Sequence, residues 1–209
     1  MWRIAMRLAG EGGQGVGLAA AVLAEAALAS GYEVTMLQTY GPEARGGASS
    51  ADVVISDRPV ANPKVNEADL LLLLNQTSWS KFGCPPWRTP TTVVVVEEGR
   101  VPLEGATSGV LALPFERLAR DELREKVAAN MLAVGAVGAL IGCLASSSLV
   151  EAGLGRSPAA FRVVNQEAIE RGWHLVAQST ELGGLRAMLA GTGAPVLDGI
   201  DGPTLVTTP

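Results

Sequence analysis

Two glycine-rich loops near the start of the chain carry the residue types that are best suited to binding chemistry. The first reads Gly10-Glu11-Gly12-Gly13-Gln14-Gly15, and the second reads Tyr40-Gly41-Pro42-Glu43-Ala44-Arg45-Gly46-Gly47. Glycine lets the backbone approach a phosphate closely, and backbone N–H groups at the start of a helix favour negative charge. Arg45 adds a planar guanidinium that fits a phosphate or a carboxylate. The residue types therefore predict anion recognition.

Segments with the character of β-strands precede both loops. These are residues 2–9 and 33–39, and between them residues 16–30 form an Ala-rich helix that ends at Gly31. Further strand-like runs follow at residues 50–56, 70–74, 92–96 and 110–113. This order predicts an α/β fold, a Rossmann-like layered, mostly parallel sheet flanked by helices, with a C-terminal helical segment and an irregular tail. Both loops are then expected at the same edge of the sheet.

Residues 127–145 are nearly all apolar, and Asn130 is their only strongly polar side chain. The segment is long enough to touch the membrane-spanning range, but it is mostly Ala, Gly and Val, so we predict a buried helix. Gly135, Gly138 and Gly142 fall on one face of it, which predicts a close backbone approach. The element approached is either this domain's own sheet, which we favour, or a partner subunit.

The C-terminal part contains a further predicted helix. Ser157 would be its N-cap and Pro158 would stand in its first turn, and the helix would run to about residue 177. The chain then becomes rich in Gly, Thr and Pro, which predicts a segment that wraps a neighbour or frays. We predict one domain over residues 1–177 and a tail or arm over residues 178–209.

The composition excludes several classes of function. The chain has 209 residues, 48% of them hydrophobic and 18% charged, with a net charge of −5. These values indicate a globular protein without the basic field that nucleic acids need. Cys84 and Cys143 are not clustered, so the chain cannot ligate an iron–sulfur cluster alone, and a reduced cytoplasmic location without a targeting peptide is expected. The single histidine, His174, is expected to be a surface or packing residue.

The first loop also satisfies a dinucleotide-binding pattern through Gly10, Gly12 and Gly15. However, Leu37-Gln38-Thr39 stands where the ribose-binding acid is expected, and Glu11 would repel a pyrophosphate. A nicotinamide or flavin dinucleotide is therefore a weaker interpretation, and a simple tight turn is another. Arg45 likewise has an alternative role, in an ion pair with Glu43 or at an interface.

Several segments together resemble one protein family. They are Gly-Glu-Gly-Gly-Gln-Gly-Val (10–16), Tyr-Gly-Pro-Glu-Ala-Arg-Gly-Gly-Ala-Ser (40–49), Ser-Ala-Asp-Val-Val-Ile-Ser-Asp (50–57), Ala-Asp-Leu-Leu-Leu (68–72), Asn-Met-Leu-Ala-Val-Gly-Ala (130–136) and Val-Asn-Gln-Glu-Ala-Ile-Glu-Arg-Gly (164–172). In this order, over about residues 3–175, they resemble the gamma subunit of 2-oxoacid:ferredoxin oxidoreductases. The Ala-Arg-Gly-Gly-Ala-Ser loop is most similar to the 2-oxoglutarate (2-ketoglutarate) branch, that of 2-oxoglutarate synthase.

The resemblance implies a reaction and a division of labour. A 2-oxoacid, coenzyme A and oxidised ferredoxin would give an acyl-CoA (succinyl-CoA for 2-oxoglutarate), carbon dioxide and reduced ferredoxin. Thiamine diphosphate, Mg²⁺ and the iron–sulfur cluster would be carried by the alpha, beta and, where present, delta subunits. This chain would then have no catalytic residue or metal site of its own, would bind neither nucleic acid nor membrane, and would reach ferredoxin through the complex.

We hypothesise that the two loops help to bind coenzyme A. Its phosphates would meet the N–H groups of the first loop and the guanidinium of Arg45, with Gln14 as a neutral partner and Tyr40 beside the adenine or supporting the loop. The predicted cofactor-binding residues are Gly12, Gly13, Gln14, Gly15, Tyr40, Glu43, Arg45, Gly46 and Gly47. Two alternatives are a non-catalytic assembly module of the same complex and a free-standing Rossmann nucleotide-binding protein.

Overall fold

The part of the chain that the structure describes contains six strands and seven α-helices. The structure is a computed structural model, and it describes residues 1–39, 49–102, 109–180 and 182–197. The strands are β1 (Arg3–Gly10), β2 (Glu33–Thr39), β3 (Ser49–Ser56), β4 (Leu70–Leu73), β5 (Val93–Glu97) and β6 (Val110–Leu113). The helices are α1 (Val16–Ala29), α2 (Gln76–Phe82), α3 (Phe115–Asp121), α4 (Ala129–Ile141), α5 (Ser146–Arg156), α6 (Arg162–Ala177) and α7 (Leu182–Leu189).

The strands form one sheet in the order β2-β3-β1-β4-β5-β6. Strand β3 is antiparallel to both of its neighbours, whereas β1, β4, β5 and β6 run parallel. The central strands are unbroken aliphatic runs because helices or loops cover both of their faces. The predicted α/β class and the mostly parallel sheet are confirmed.

Two apolar layers cover the sheet. On one face, alternate residues of β1, such as Ile4 and Met6, pack with the buried sides of α1, α4, α5 and α6. On the other face, Ala5 and Ala9 pack with Phe82 of α2 and with Val65. The alternation along β1 follows from the two-residue period of a strand, which sends successive side chains to opposite faces.

A buried ion pair joins β1 to β3. The guanidinium of Arg7 donates to the carboxylate of Asp52 at 2.7 and 2.8 Å, and it also lies 3.8 Å from the ring centroid of Trp87. The same carboxylate accepts the N–H of Val65 at 3.0 Å, so it ties the segment between β3 and β4 onto the sheet. Two buried charges are tolerated here because each has hydrogen-bond partners.

The buried apolar helix is α4, and its Gly135 packs directly against another helix of the same chain. A Cβ on Gly135 would collide with the carbonyl oxygen of Ile169 in α6, and a Cβ on Gly172 would collide with that of Leu132. The expectation that α4 packs these glycines against the sheet is therefore corrected. A Cβ on Gly138 would meet Leu149 of α5, and one on Gly142 would meet Val196, so the glycine face of α4 packs against other C-terminal segments. Among the described residues, no helix combines the length and the hydrophobicity that crossing a membrane requires.

The C-terminal helices differ from the sequence prediction, and α4 itself covers residues 129–141 rather than 127–145. Helix α5 was not predicted, and the next helix begins at Arg162 rather than at Ser157. The hydroxyl of Ser157 donates to the Gly153 carbonyl at 2.7 Å and accepts from Asn165 at 2.8 Å, so it closes α5 and holds α6 instead of capping it. Side-chain to backbone bonds of this kind compete with capping.

Part of the predicted tail is helical and packed. Leu185 and Leu189 of α7 belong to the core on the α4 side of the sheet. Arg186 donates to the Ala139 carbonyl near the C-terminus of α4 at 2.6 and 3.2 Å. This carbonyl belongs to the last turn of α4, where carbonyls lack helical partners and basic side chains are favoured.

Candidate functional site

The candidate site lies where the parallel strands end. Ala9, Leu73 and Val96 are neighbours in the register of β1, β4 and β5, so the chain leaves these strands side by side. Helix α1 connects β1 to β2, which lies on one side of β1 in the sheet. Strand β4, from which the chain continues to β5, lies on the other side. Such a point, where the connections diverge at the carboxyl ends of strands, is the usual ligand crevice of an open α/β sheet.

The Gln14 side chain fixes the first loop to the end of β4. Its Oε1 accepts the N–H of Glu11 at 2.7 Å and the amide Nδ2 of Asn75 at 3.2 Å. Its Nε2 donates to the Leu74 carbonyl at 3.4 Å. Gln14 is thus occupied in holding the loop, and a contact from it to a ligand stays a prediction.

The loop glycines are needed for different reasons. Gly15, at the start of α1, has a φ of +71°, and a Cβ there would also collide with the amide Nδ2 of Asn130. Gly13 has a φ of +95°, which L residues rarely adopt. Gly12 has neither constraint, because a Cβ on it would meet nothing within 4 Å. The fold therefore does not require glycine at position 12, whereas close approach of a ligand would.

The loop presents free backbone donors. Helix α1 has no side-chain cap, and its Ala19 N–H is the first to bond back to the loop, at 2.9 Å to the Gly15 carbonyl. In the described ranges, the N–H groups of Gly12, Gly13 and Gly15 have no acceptor. Unpaired N–H groups at a helix N-terminus, reinforced by the helix dipole, form a site for an anion.

A cavity of about 420 Å³ adjoins this loop. It lies between the loop, the ends of β4 and β5, and the starts of α3 and α4. Its lining residues are Gly13, Gln14, Leu74, Glu97, Arg100, Phe115, Glu116, Arg120, Lys126, Val127, Ala129 and Asn130. Basic, acidic and amide side chains thus meet beside the free N–H groups.

Asn130 contributes a buried acceptor without a donor. It is 9% exposed, and its Oδ1 finds no hydrogen-bond donor in the described part of the chain. Buried polar atoms are normally paired, so an orphan at the wall of a cavity indicates a ligand or an ordered water as its partner. The residue therefore joins the candidate site.

Glu97 is the buried carboxyl of the cavity. It is 3% exposed, and both of its oxygens accept the N–H of Glu116 at the start of α3, at 3.1 and 3.2 Å. Burial raises the pKa of Glu97 to about 7, although this hydrogen bond acts in the opposite direction. Near neutral pH the group is therefore divided between its two protonation states.

The rim of the cavity is rich in Arg and Lys. Arg100 pairs with Glu116 at 2.8 Å, and Arg120 pairs with its neighbour Asp121 at 2.6 Å. The pKa of Arg100 is raised, first by its hydrogen bond to Glu116 and to a smaller extent by the charges of Glu11 and Glu97. The charge of Glu11 is therefore partly offset by Arg100, although Arg100 is already paired with Glu116.

The second predicted loop lies outside the described residues, which leaves Tyr40, Glu43, Arg45, Gly46 and Gly47 as predictions. Its two anchors are described. Gly10 is opposite Ser49 in the sheet and accepts its hydroxyl at 3.2 Å, and Thr39 is opposite Ser50. The residues that flank the second loop therefore lie at the sheet edge on which the first loop stands.

Four further residues of the site were missed by the sequence analysis, although three of them carried a signal. Glu97 and Asn75 follow directly after aliphatic runs, where polar residues reach the carboxyl edge of the sheet. Asn130 was visible as the polar residue in an apolar helix. Arg100 had no sequence signal beyond its position in a loop, because its proximity to the cavity depends on tertiary structure.

The other chemically interesting residues do not form a site. Cys84 is exposed after α2, and Cys143 is buried after α4, where burial raises the pKa of its thiol to about 11. Within the described segments, no three His, Cys, Asp or Glu side chains are placed to hold a metal ion. A second cavity, of about 790 Å³, lies around Trp2, Arg3 and Asp69, near the start of β1. It does not include the first loop.

Comparison with known proteins connects this arrangement to a family. The family model described as pyruvate ferredoxin/flavodoxin oxidoreductase matches residues 5–175. A curated relative, the 2-oxoglutarate synthase subunit KorC of Methanocaldococcus jannaschii, is 34% identical over 174 residues, which cover 81% of this chain and 92% of the relative.

Solved structures agree with this match. The gamma subunit of a keto/oxoacid ferredoxin oxidoreductase from Geobacter sulfurreducens is 32% identical, with a TM-score of 0.73 over 86% of this chain and 100% of that one. A 2-oxoglutarate:ferredoxin oxidoreductase from Magnetococcus marinus, solved with 2-oxoglutarate, coenzyme A and succinyl-CoA, also gives a TM-score of 0.73. That match covers 85% of this chain and 31% of the other, and at 24% identity it shows the fold alone.

Proposed function

This chain belongs to the pyruvate ferredoxin/flavodoxin oxidoreductase family, and we propose that it is the gamma subunit of a coenzyme A-dependent 2-oxoglutarate:ferredoxin oxidoreductase. The KorC relative covers most of both chains, and its name supplies the oxoacid. In the complex, 2-oxoglutarate, coenzyme A and oxidised ferredoxin give succinyl-CoA, carbon dioxide and reduced ferredoxin. The contribution of this chain is to bind part of coenzyme A and to hold it for the other subunits.

The observation that carries the proposal is the set of free donors at the first loop. The N–H groups of Gly12, Gly13 and Gly15 stand at the N-terminus of α1, and Gln14 holds them in place. A diphosphate brings several oxygens and a double negative charge, which suits a cluster of N–H groups better than a neutral ligand does. Because the donors are fixed before binding, little ordering entropy is lost.

Side chains around the loop suit the rest of a nucleotide-like ligand. The Oδ1 of Asn130 can accept from an amine or amide N–H of coenzyme A, and Lys126 and Arg120 at the rim can face a phosphate. Arg45, whose loop is flanked by residues at the same sheet edge, would add a charge-assisted hydrogen bond. Each group binds and orients, and none of them is required to react.

The redox and thiamine chemistry is proposed to lie on partner subunits. The whole chain has two cysteines, whereas an iron–sulfur cluster needs four protein ligands. Thiamine diphosphate supplies carbanion stabilisation and the clusters supply electron transfer when bound to those subunits. This chain would hold coenzyme A so that its thiol can reach the acyl group on the neighbouring subunit.

The test is the dependence of the reconstituted complex on coenzyme A. Arg45→Ala removes the predicted cation, and Gly12→Ala adds a methyl group that the fold tolerates but that would obstruct a ligand at the loop. Losing one charged hydrogen bond costs about 1.5–3 kcal/mol, so Arg45→Ala should raise the KM for coenzyme A about 10- to 100-fold. Gly12→Ala should also raise this KM, because its methyl group obstructs the ligand. The KM for 2-oxoglutarate should stay unchanged.

Gly155→Ala is the matched control. Gly155 lies in α5 and a Cβ on it would also meet nothing within 4 Å, but it is not a lining residue of the cavity. Unchanged kinetics in Arg45→Ala and Gly12→Ala would overturn the coenzyme A contact. In that case, loss of co-purifying subunits in these variants would support the assembly module, and binding of NAD by the chain alone would support a free-standing nucleotide-binding protein.

A further inference from the structure

Glu97 stands in the candidate anion cavity although a carboxylate there opposes an anion. It terminates β5, it is 3% exposed, and it shares the cavity with Gly13 of the donor loop. The fold uses only the acceptor capacity of this side chain, in the hydrogen bonds from the Glu116 N–H. An amide could keep one of these bonds through its single Oε1 acceptor, so the fold does not need an ionisable group here.

The charges around Glu97 come from each element that borders the cavity. They are Glu11 of the first loop, Glu98 and Arg100 after β5, Glu116 and Arg120 of α3, and Lys126 before α4. Arg100 and Arg120 are paired with Glu116 and Asp121, respectively, which reduces their help to Glu97. Glu98 and Glu116 add like charge to that of a carboxylate at position 97.

The two protonation states of Glu97 would affect a bound anion in opposite ways. An ionised Glu97 would repel a phosphate placed at the neighbouring N–H groups, whereas a neutral carboxyl would not, and its O–H group could donate to the ligand. A nearby negative charge always favours the protonated form of a carboxyl. The side chain can therefore pass from one form to the other when the ligand arrives.

We propose that Glu97 takes up one proton when a phosphate-bearing ligand binds in this cavity, so that anion binding and proton binding are coupled. The carboxylate and a proton from solvent become the neutral carboxyl, and no other bond changes. This inference rests on the proposed function, because coenzyme A is the ligand that supplies the anion.

The coupling has a defined pH range. Burial raises the pKa of free Glu97 to about 7, so below that pH the ligand meets a neutral group. Above it, each bound ligand must also bind a proton, and the affinity falls by up to about tenfold per pH unit. Between pH 6 and pH 8 the loss that Glu97 causes should be about tenfold in total.

The experiment is calorimetric titration of the full chain with coenzyme A, and with inorganic pyrophosphate as the minimal anion, from pH 6 to pH 8. Repeating it in two buffers of different ionisation enthalpy gives the number of protons taken up. Glu97→Gln mimics the neutral carboxyl and keeps the acceptor for Glu116. Glu98→Gln removes the same charge from an exposed neighbour that does not line the cavity. Glu98 has the smallest of the influences on the pKa of Glu97, so this control leaves the titration of Glu97 in place.

We expect the wild-type chain and Glu98→Gln to take up a proton from solvent, at Glu97, when the ligand binds near pH 8, and to lose affinity about tenfold between pH 6 and pH 8 relative to Glu97→Gln. The ionisation of the ligand's own phosphates affects all variants equally, so this difference isolates Glu97. Equal pH dependence in wild type and Glu97→Gln would overturn the coupling but not the proposed function. Absence of binding at pH 6 in all variants would overturn both.

A measurement on the wild-type chain guards against a Glu97→Gln variant that does not fold. Carbon-13 NMR of labelled glutamate carboxyls follows the titration of Glu97 directly. Its midpoint should rise when coenzyme A is added, and a midpoint that is unchanged or lower with the site occupied would overturn the coupling.

Discussion

At the scale of single residues, Glu97 shows how burial and a helix N-terminus compete over one carboxyl. The N–H of Glu116 favours the carboxylate, but the loss of water favours the neutral acid more, and the pKa rises to about 7 from 4.5. The group is thus costly to ionise in the folded chain and easily ionised in the unfolded chain. Its stability effect can be measured without any ligand.

Stability should fall between about pH 4.5 and pH 7 because of Glu97. In this window the folded chain holds a proton that the unfolded chain has lost, so unfolding becomes more favourable as the pH rises, and the effect is constant above pH 7. The Glu97→Gln variant has no carboxyl to titrate at this position. The amount by which its free energy of unfolding exceeds that of wild type should therefore grow from near zero at pH 4 to about 2–3 kcal/mol at pH 8. Urea unfolding at a series of pH values measures it.

Glu98→Gln is the control for this stability profile. Its carboxylate is exposed, so its difference from wild type should change little with pH. If the curves of wild type and Glu97→Gln run parallel from pH 4 to pH 8, Glu97 does not titrate with a raised pKa. The proton coupling would then lose its basis in the free protein.

The site residues divide into those that local sequence can predict and those that it cannot. The loop at residues 10–15 was predictable, because glycine spacing after a strand is a local pattern. The hydrogen bonds of Gln14 with Asn75 and Leu74 were not predictable. They join residues about sixty positions apart and depend on the parallel register of β1 and β4. Asn130 lies beside Gly15 only because α4 packs against the start of α1.

At the scale of elements, the contact between α4 and α6 organises the helical layer. Gly135 of α4 and Gly172 of α6 are the points of closest approach, where each lacks a Cβ that would strike a carbonyl of the other helix. Two glycines in helices cost about 2 kcal/mol in propensity, so the close packing must offset that cost. The sequence indicated a close approach but could not identify the element approached.

Gly135→Ala and Gly172→Ala should therefore destabilise the chain strongly. The new methyl group meets backbone, which cannot move aside as a flexible side chain can, so we expect a loss of about 3 kcal/mol or more. Thermal and urea unfolding of the isolated chain measure it. Gly155→Ala makes the same substitution in an open part of α5 and should instead stabilise by up to about 1 kcal/mol. Similar stabilities for all three variants would contradict the packing.

Helix boundaries were the least predictable part of the elements. Ser157-Pro158 has the composition of a helix start, yet the hydroxyl of Ser157 bonds backward to Gly153 and sideways to Asn165. The choice between capping and these bonds depends on the packing of α5 against α6, which a local pattern does not contain. Strands were easier, because β4 and β5 are aliphatic runs that only a covered sheet accommodates.

At the scale of the whole molecule, the sheet explains why two loops far apart in sequence were expected together. Strands β1 and β2 are parallel to each other, with β3 between them, so both end at one edge. At that edge the hydroxyl of Ser49 donates a hydrogen bond to the Gly10 carbonyl. The general position of the site follows from the fold class, whereas the cavity between the first loop and α4 follows from helix packing that the sequence does not specify.

The C-terminal segment completes the molecule on the α4 side. The spacing of Leu185 and Leu189 by four residues was a helical signal that the Gly and Thr content of the segment obscured. These side chains are 6% and 5% exposed, and Arg186 supplies a partner for the Ala139 carbonyl at the end of α4. We therefore expect residues 182–197 to contribute to the stability of the whole chain and not to act as a separate arm.

Two truncations test this expectation. Removing residues 182–209 should lower the free energy of unfolding by about 2–4 kcal/mol, because two buried leucines and the Arg186 bonds are lost while less chain has to be ordered. Removing residues 198–209 leaves those contacts in place and should have a much smaller effect. Leu185→Ala in the full chain, expected to cost about 2 kcal/mol or more, separates loss of burial from loss of chain length. If the longer truncation unfolds at the same urea concentration as wild type, the segment from residue 182 is an independent arm, as its composition first indicated.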